Sequence, residues 1–334
     1  MRMLTELRDK AAKAWPFETL PPSRWSTQVP SFAAADPAVI RSALVRAQRR
    51  PSGNWYAFAA SSQIGAKAFG TSVAGVQIVA WRGAYGELLT APRACPHLGA
   101  DLATAPVECG ALICPWHGLR LTGRPNRSWQ PLPAHDDGVL CWVRLDAVGG
   151  EAPTDEPMVS PRPDHPRVAA VARVEGVCEP RDVVANRLDP WHGSWFHPYS
   201  FTRLEVISAP PADDDLSEEL DRFVVAVTFR IGRLGVPVIA EFTTPDPRTV
   251  TMRIIDGEGL GSVVETHATP LGPGRDGLPR TAVVEAVVAH SDRPHFGTAL
   301  LAASPMIKFV MGRSAKRLWR DDLAYAERLF ELRS

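Results

Sequence analysis

Cys95-Pro96-His97-Leu98-Gly99 and Cys114-Pro115-Trp116-His117-Gly118 bound the stretch whose reading decides this chain. The pattern is C-x-H, then sixteen residues, then C-x-x-H. Two thiolates and two imidazoles are the ligand mix that holds a [2Fe-2S] cluster with Cys95 and Cys114 on one iron and His97 and His117 on the other. Structural zinc takes the same four donors, but zinc sites usually pair their cysteines as C-x-x-C, a spacing this chain lacks. The remaining Cys109, Cys141 and Cys178 make an odd set, which argues against a disulfide framework.

A second donor set lies about 90 residues on, in Asn186-Arg187-Leu188-Asp189-Pro190-Trp191-His192-Gly193-Ser194-Trp195-Phe196-His197. Two imidazoles with a carboxylate suit an oxygen-activating mononuclear iron(II). On a regular helix a five-residue offset leaves the rings of His192 and His197 about 140° apart, so the spacing predicts a distortion near Gly193 or a metal at a helix end. The carboxylate can come from far along the chain. Asp322 falls at the centre of an apolar stripe of Ala315, Leu318, Trp319, Tyr325, Ala326 and Leu329, whereas Asp321 falls with Arg317 and Arg328. A carboxylate on a buried stripe needs a partner, and a metal supplies one, while Asp321 reads as an ordinary surface residue. Asp189, just before Pro190, reads on its own as a capping carboxylate.

Around these motifs the chain is globular, with 45% hydrophobic and 22% charged residues. Its 334 residues point to two domains. The 37 basic and 37 acidic side chains cancel, so global charge gives no reason to expect nucleic acid or an anionic surface as partner. The sequence shows no secretory h-region, and the apolar stretch near 296–311 contains Pro305 and Lys308; a cytoplasmic protein without a transmembrane segment is expected.

Residues 1–48 carry helical patterning broken by prolines and predict two short helices and an extended arm. Short β-rich runs occupy 49–150, among them Trp55 to Phe58 and Val76 to Ala80, the latter with a turn at Trp81-Arg82-Gly83. The Pro- and acid-rich stretch 149–166 predicts a domain boundary. Beyond it, apolar odd positions in Phe223-Val224-Val225-Ala226-Val227-Thr228-Phe229-Arg230-Ile231 predict a half-buried strand. Runs at 248–255, 262–268 and 281–289 extend an antiparallel sheet over a domain at 167–334, closed by helices from about 295 to 332. Gly257 to Gly261 reads as a hairpin turn rather than a nucleotide loop.

The two Cys/His loops resemble the cluster-binding loops of Rieske proteins, and N-x-x-D-x-x-H-x-x-x-x-H resembles the iron-binding segment of Rieske non-haem iron oxygenase catalytic subunits. The resemblance implies an α+β chain, a Rieske β-domain followed by a helix-grip catalytic domain, holding a [2Fe-2S] cluster and a mononuclear iron(II) on His192, His197 and Asp322. It gives Asp189 the role of bridging a cluster histidine of a neighbouring subunit to an iron-ligating histidine, within a homotrimer. Ala100, Trp116, Leu119 and Leu121 stand where high-potential Rieske proteins have disulfide cysteines and hydroxyls, so fewer donors reach the sulfurs and a low potential is expected. With no flavin or nicotinamide motif, a ferredoxin and/or reductase is implied as electron donor, and a hydrophobic small molecule with O2 as substrates. The competing expectation is an electron carrier or redox sensor whose C-terminal domain is vacant and only binds a ligand. His135, His165, His267, His290 and His295 lack ligand spacing and read as structural or surface residues, His267 and His295 being also candidate pocket residues.

Overall fold

The computed structural model describes residues 17–22, 28–126, 129–164, 167–293 and 296–334. Within the arm, the described residues form a short strand β1 (Glu18–Thr19) and one helix α1 (Pro37–Gln48); the expectation of an earlier helix falls on residues outside those described. α1 starts where the Asp36 side chain accepts from the Ala38 N–H at 2.8 Å with Pro37 at the first helical position.

Three small antiparallel sheets make the first domain. β2 (Trp55–Ala60) pairs β10 (Leu140–Arg144), which pairs β9 (Ala134–Asp136). β3 (Phe69–Val73), β4 (Val76–Arg82) and β5 (Leu88–Pro92) form the second, and β6 (Val107–Glu108), β7 (Ala111–Ile113) and β8 (Arg120–Leu121) the third. The turn expected at Trp81 starts later, at Gly83, because Trp81 stays in β4: it is fully buried and its indole N–H donates to the Gly110 carbonyl at 3.1 Å. A short helix α2 (Asp146–Gly149) ends the domain.

The second domain runs β11 (Arg167–Gly176), α3 (Pro180–Arg187), α4 (His192–Phe196), β12 (Phe201–Ser208), β13 (Phe223–Ile231), β14 (Leu234–Asp246), β15 (Thr249–Gly257), β16 (Val263–Pro273), β17 (Pro279–His290) and α5 (Phe296–Glu331). Strands β12 to β17 form an antiparallel meander; β11 adds beside β17 and β1 beside β14. Where helices were expected from about 295, the described residues form one helix that runs through Pro305. Strands β11, β12 and β14 were not among the expected runs. β11 is alanine-rich, β12 is half-exposed with a register shift, and β14 contains Gly235 and Pro237.

Both faces of this sheet are covered. On one face Val250, Ala268 and Val283 pack against Val183, Val184 and Leu188 of α3, Trp319, Leu323 and Ala326 of α5, and Ala43 and Ala47 of α1. On the other, Val263, Val284, Ala286 and Val288 pack against Trp55, Ala57, Val139, Leu140 and Trp142 of the first domain. Val283 and Val284 are adjacent on β17 and point to opposite faces, which is why that strand reads as a near-continuous buried run. The arm is fastened to the sheet: Leu20 is buried against Gly235, where a Cβ would lie 2.8 Å from the leucine side chain. Arg46, also buried, pairs with Asp221 at 2.6 Å.

The boundary segment 150–164 has no regular structure, but it is clamped. Arg162 forms a fork to Glu265 at 2.6 and 2.7 Å and reaches Asp137 at 2.7 Å, joining linker, sheet and first domain. His267, read as a structural or surface residue with a pocket role as the alternative, packs at this junction: it lies edge-on to Trp142 at 4.9 Å and shares a 2.9 Å hydrogen bond with Thr249. His295 lies outside the described residues.

Candidate metal centres

The first centre sits on two matching turns, one between β5 and β6, the other between β7 and β8. In each, the cysteine carbonyl accepts from a glycine four residues on, Gly99 at 2.9 Å and Gly118 at 3.0 Å. Both glycines have positive φ, +79° and +69°, a conformation that residues with a Cβ rarely adopt. Each cysteine N–H in turn donates 2.9 Å to a carbonyl five residues on, Ala100 or Leu119. These closures bury Cys95 and Cys114 and leave His97 and His117 exposed, their rings 4.8 Å apart.

Burial opposes charge on either sulfur. At Cys114 the N–H groups of Trp116 and His117, with the Cys95 thiol, overcome it and lower the pKa; at Cys95 burial prevails and the pKa rises. Buried sulfurs with backbone donors and surface imidazoles fit a [2Fe-2S] cluster with its histidine side outward. Leu98 and Trp116 form an exposed apolar rim beside those imidazoles.

The second centre lies under the helical face of the sheet. α4 spans only five residues, and His197 follows it with φ −119° and ψ 56°. The helix therefore ends between the two histidines, which removes the 140° problem, and both rings turn toward Asp322 of α5. His192 Nε2 lies 3.3 Å and His197 Nε2 2.7 Å from Asp322 Oδ1. One donor atom from each of the three residues falls within a 4.8 Å cluster, a group suited to a metal ion. Asp322 and His197 are buried, and among the described residues Asp322 Oδ2 has no hydrogen-bond partner. A carboxylate with one oxygen facing two imidazole nitrogens and the other buried without a hydrogen-bond partner among the described residues is a donor set that a divalent metal satisfies.

Neighbours orient the set. The Asp189 carbonyl accepts from His192 Nδ1 at 2.5 Å, which leaves Nε2 facing Asp322. The Asp189 carboxylate lies 3.6 Å from the same ring and accepts from Tyr325 at 3.3 Å, while its Oδ1 is buried without a hydrogen-bond partner among the described residues. Asn186 Nδ2 donates to Asp322 Oδ1 at 3.2 Å. Tyr199 and Asp321 complete the shell behind His197. Asp321, expected as an ordinary surface residue, is partly exposed but accepts a hydrogen bond from Tyr199, whose oxygen lies 3.2 Å from His197 Nδ1. A tyrosine two residues after a histidine carried no sequence signal for this contact.

In the metal-free site, burial opposes protonation of His192, but the Asp189 and Asp322 carboxylates outweigh it and raise the pKa to about 9. The two imidazoles, against burial, hold Asp322 below the usual carboxylate range. The raised histidine stabilises the metal-free fold fully below its ordinary value of about 6.5, and that contribution is lost as pH rises through about 9. Metal must displace this proton. Iron(II) affinity is therefore expected to fall about tenfold per pH unit below pH 9, with about one proton released per iron. Calorimetry in buffers of different ionisation enthalpy counts that proton, and pH-independent uptake between about 6 and 8 would contradict the expectation.

A hollow of about 380 Å3 beside Arg162, lined also by His135, Asp137 and Glu156, contains none of these candidate ligands. Among the described residues no helix is long and apolar enough to cross a membrane.

Comparison with known proteins adds two family matches. Residues 54–137 match the Rieske [2Fe-2S] domain, and residues 148–334, more than half of the chain, match a family described as domain of unknown function (DUF5914). The vanillate O-demethylase oxygenase subunit of Pseudomonas sp. (strain HR199 / DSM 7063) is 26% identical over 180 residues, 48% of this chain and 49% of that one. Aminopyrrolnitrin oxygenase PrnD of Pseudomonas fluorescens is 36% identical over 83 residues, 22% of this chain and 23% of that one. The chain thus spans about half or less of the length of these curated relatives. Among solved structures, dicamba monooxygenase bound to dicamba aligns with TM-score 0.51 and 18% identity, covering 86% of this chain and 88% of that one. The terminal oxygenase of carbazole 1,9a-dioxygenase from Novosphingobium sp. KA1 aligns with TM-score 0.53 and 13% identity, covering 88% and 87%. Those alignments show a shared fold.

Proposed function

We propose, for a chain that belongs to the DUF5914 family and carries a Rieske [2Fe-2S] domain on the fold of Rieske oxygenase catalytic subunits, that it oxidises a small apolar molecule with O2. The observation that carries this reading is the convergence on one buried point of His192, His197 and Asp322, whose Oδ2 has no hydrogen-bond partner among the described residues. Cys95 and Cys114 would hold the cluster's first iron and His97 and His117 its second; His192, His197 and Asp322 would hold iron(II). When bound, the cluster supplies single electrons and the iron(II) supplies reductive activation of O2.

The chain's own groups prepare that chemistry. Asp189 holds His192 in the tautomer that leaves Nε2 free, and Tyr325 anchors the Asp189 carboxylate. Asp189 would bridge to a cluster imidazole of a neighbouring subunit, and the exposure of His97 and His117 leaves their side open to such a partner. A trimer of this kind, reduced by a ferredoxin, is part of the proposal. For the substrate, an aromatic wall leads away from the candidate iron point: the ring of His197 lies 6.3 Å from Phe201, which lies 5.6 Å from Phe229. Such a wall favours an apolar ligand by burial. Asp189→Asn is expected to spare both metals yet slow cluster oxidation in single-turnover experiments; unchanged rates would count against the bridge.

Iron and acid-labile sulfide per chain, measured on anaerobically purified protein, test the proposal. About three irons with two sulfides are expected. About two irons with two sulfides, unchanged after iron(II) is added, would favour an electron carrier or ligand sensor instead.

A further inference from the structure

We propose that Tyr199 and Asp321 act as a positioning relay behind His197, fixing which imidazole nitrogen faces the mononuclear metal. The inference rests on the reading of His192, His197 and Asp322 as the iron site and extends it to two residues outside the ligand set. Its basis is that one imidazole is bracketed by two consecutive carboxylates of α5. Successive side chains on a helix diverge by about 100°. Asp322 therefore meets His197 Nε2 at 2.7 Å, while Asp321 passes outside the ring and stays 3.8 Å from Nδ1. At 3.8 Å Asp321 makes no hydrogen bond of its own to the ring. The Tyr199 hydroxyl fills the gap, 3.2 Å from His197 Nδ1 and hydrogen-bonded to Asp321 Oδ2.

The direction of this chain follows from its ends. A carboxylate only accepts, so Tyr199 spends its single proton on Asp321. Its oxygen lone pair is then left to accept from His197 Nδ1–H. A neutral imidazole with its proton on Nδ1 presents a bare Nε2 to the point where Asp322 and His192 converge. Arg317 lies 3.8 Å over the Tyr199 ring, one helical turn before Asp321, and holds the phenol in place. His192 reaches the same tautomer by a different route, through a backbone carbonyl. The relay at His197 is the part built from side chains, and it is therefore open to substitution.

The test compares full-length wild-type protein with Tyr199→Phe, Asp321→Asn and the double variant, each with its cluster intact. Iron(II) is removed from the mononuclear site by chelation and titrated back, and the electron paramagnetic resonance of the iron(II) site with nitric oxide is recorded. Tyr199→Phe is expected to weaken iron(II) binding about 10- to 100-fold and to shift the nitric oxide signal, with the cluster's visible spectrum and the melting temperature unchanged. Because Asp321 acts through the phenol, Asp321→Asn is expected to weaken binding by itself yet add nothing in the Tyr199→Phe background. Equal affinity and an unchanged signal in Tyr199→Phe would overturn the relay alone, as would additive effects in the double variant. Wild-type protein that takes up no iron(II) would overturn the iron site together with the relay.

Discussion

Asp322→Ala is expected to yield a protein that keeps its cluster colour and loses its mononuclear iron. The cluster loops close on their own backbone hydrogen bonds in the other domain, so the visible spectrum and the two labile sulfides persist. At the second centre the change removes the carboxylate that both imidazoles face and leaves two neutral donors. Losing a group that merely orients a ligand costs about 10- to 100-fold in metal affinity. Removal of a ligand should exceed that, so iron per chain falls from about three to about two and reductant-driven O2 uptake ceases. Iron analysis with oxygen-electrode traces checks both points. A variant that still holds the third iron and consumes O2 would refute the assignment of Asp322.

Arg162→Ala is expected to cost the most stability of any single change at the domain junction. The guanidinium is nearly inaccessible and serves two buried carboxylates at once, Asp137 and Glu265. Although burial opposes charging of either acid, Arg162 holds both below the ordinary carboxylate range. Removing one member of a buried ion pair strands its partner and costs about 3–5 kcal/mol. The pH dependence follows from the lowered pKa values. The stabilisation they represent is present above the unfolded carboxylate values near 4 and is lost as pH falls through the lower folded values. The gap between wild type and variant should therefore be widest near neutrality and shrink in acid. Urea unfolding at about pH 7 and pH 3 measures it; a loss below about 1 kcal/mol at neutrality would mean that Arg162 is dispensable.

What could be read from the sequence was what is local. Each cluster loop is a short segment closed by its own glycine and legible from its Cys/His spacing, whereas the His192–His197 pair stood out through the resemblance of its segment to an iron-binding motif. Asp322 was accessible because helical periodicity puts it on a stripe that must be buried. The relay behind His197 was not, since Asp321 meets Tyr199 only after α5 packs beside the turn between α4 and β12. Arg162 was equally hidden. In a Pro- and acid-rich stretch an arginine reads as a solvated linker charge, and nothing local indicates that two acids, one from each domain, close around it. The strands β11, β12 and β14 were missed where alanine content, half-exposure with irregular register, or a glycine and proline masked the period of two.

The sheet with both faces covered makes the sequence's division of the chain misleading in one respect. A segment cut at about residue 150 would bare Trp55, Ala57, Val139, Leu140 and Trp142, which the sheet now shields. The same cut would strip the sheet of its back layer. The two halves are therefore bound into one cooperative unit, and heating should show a single calorimetric transition rather than two. The proposed electron storage and oxygen chemistry, separable on paper, are expected to melt together.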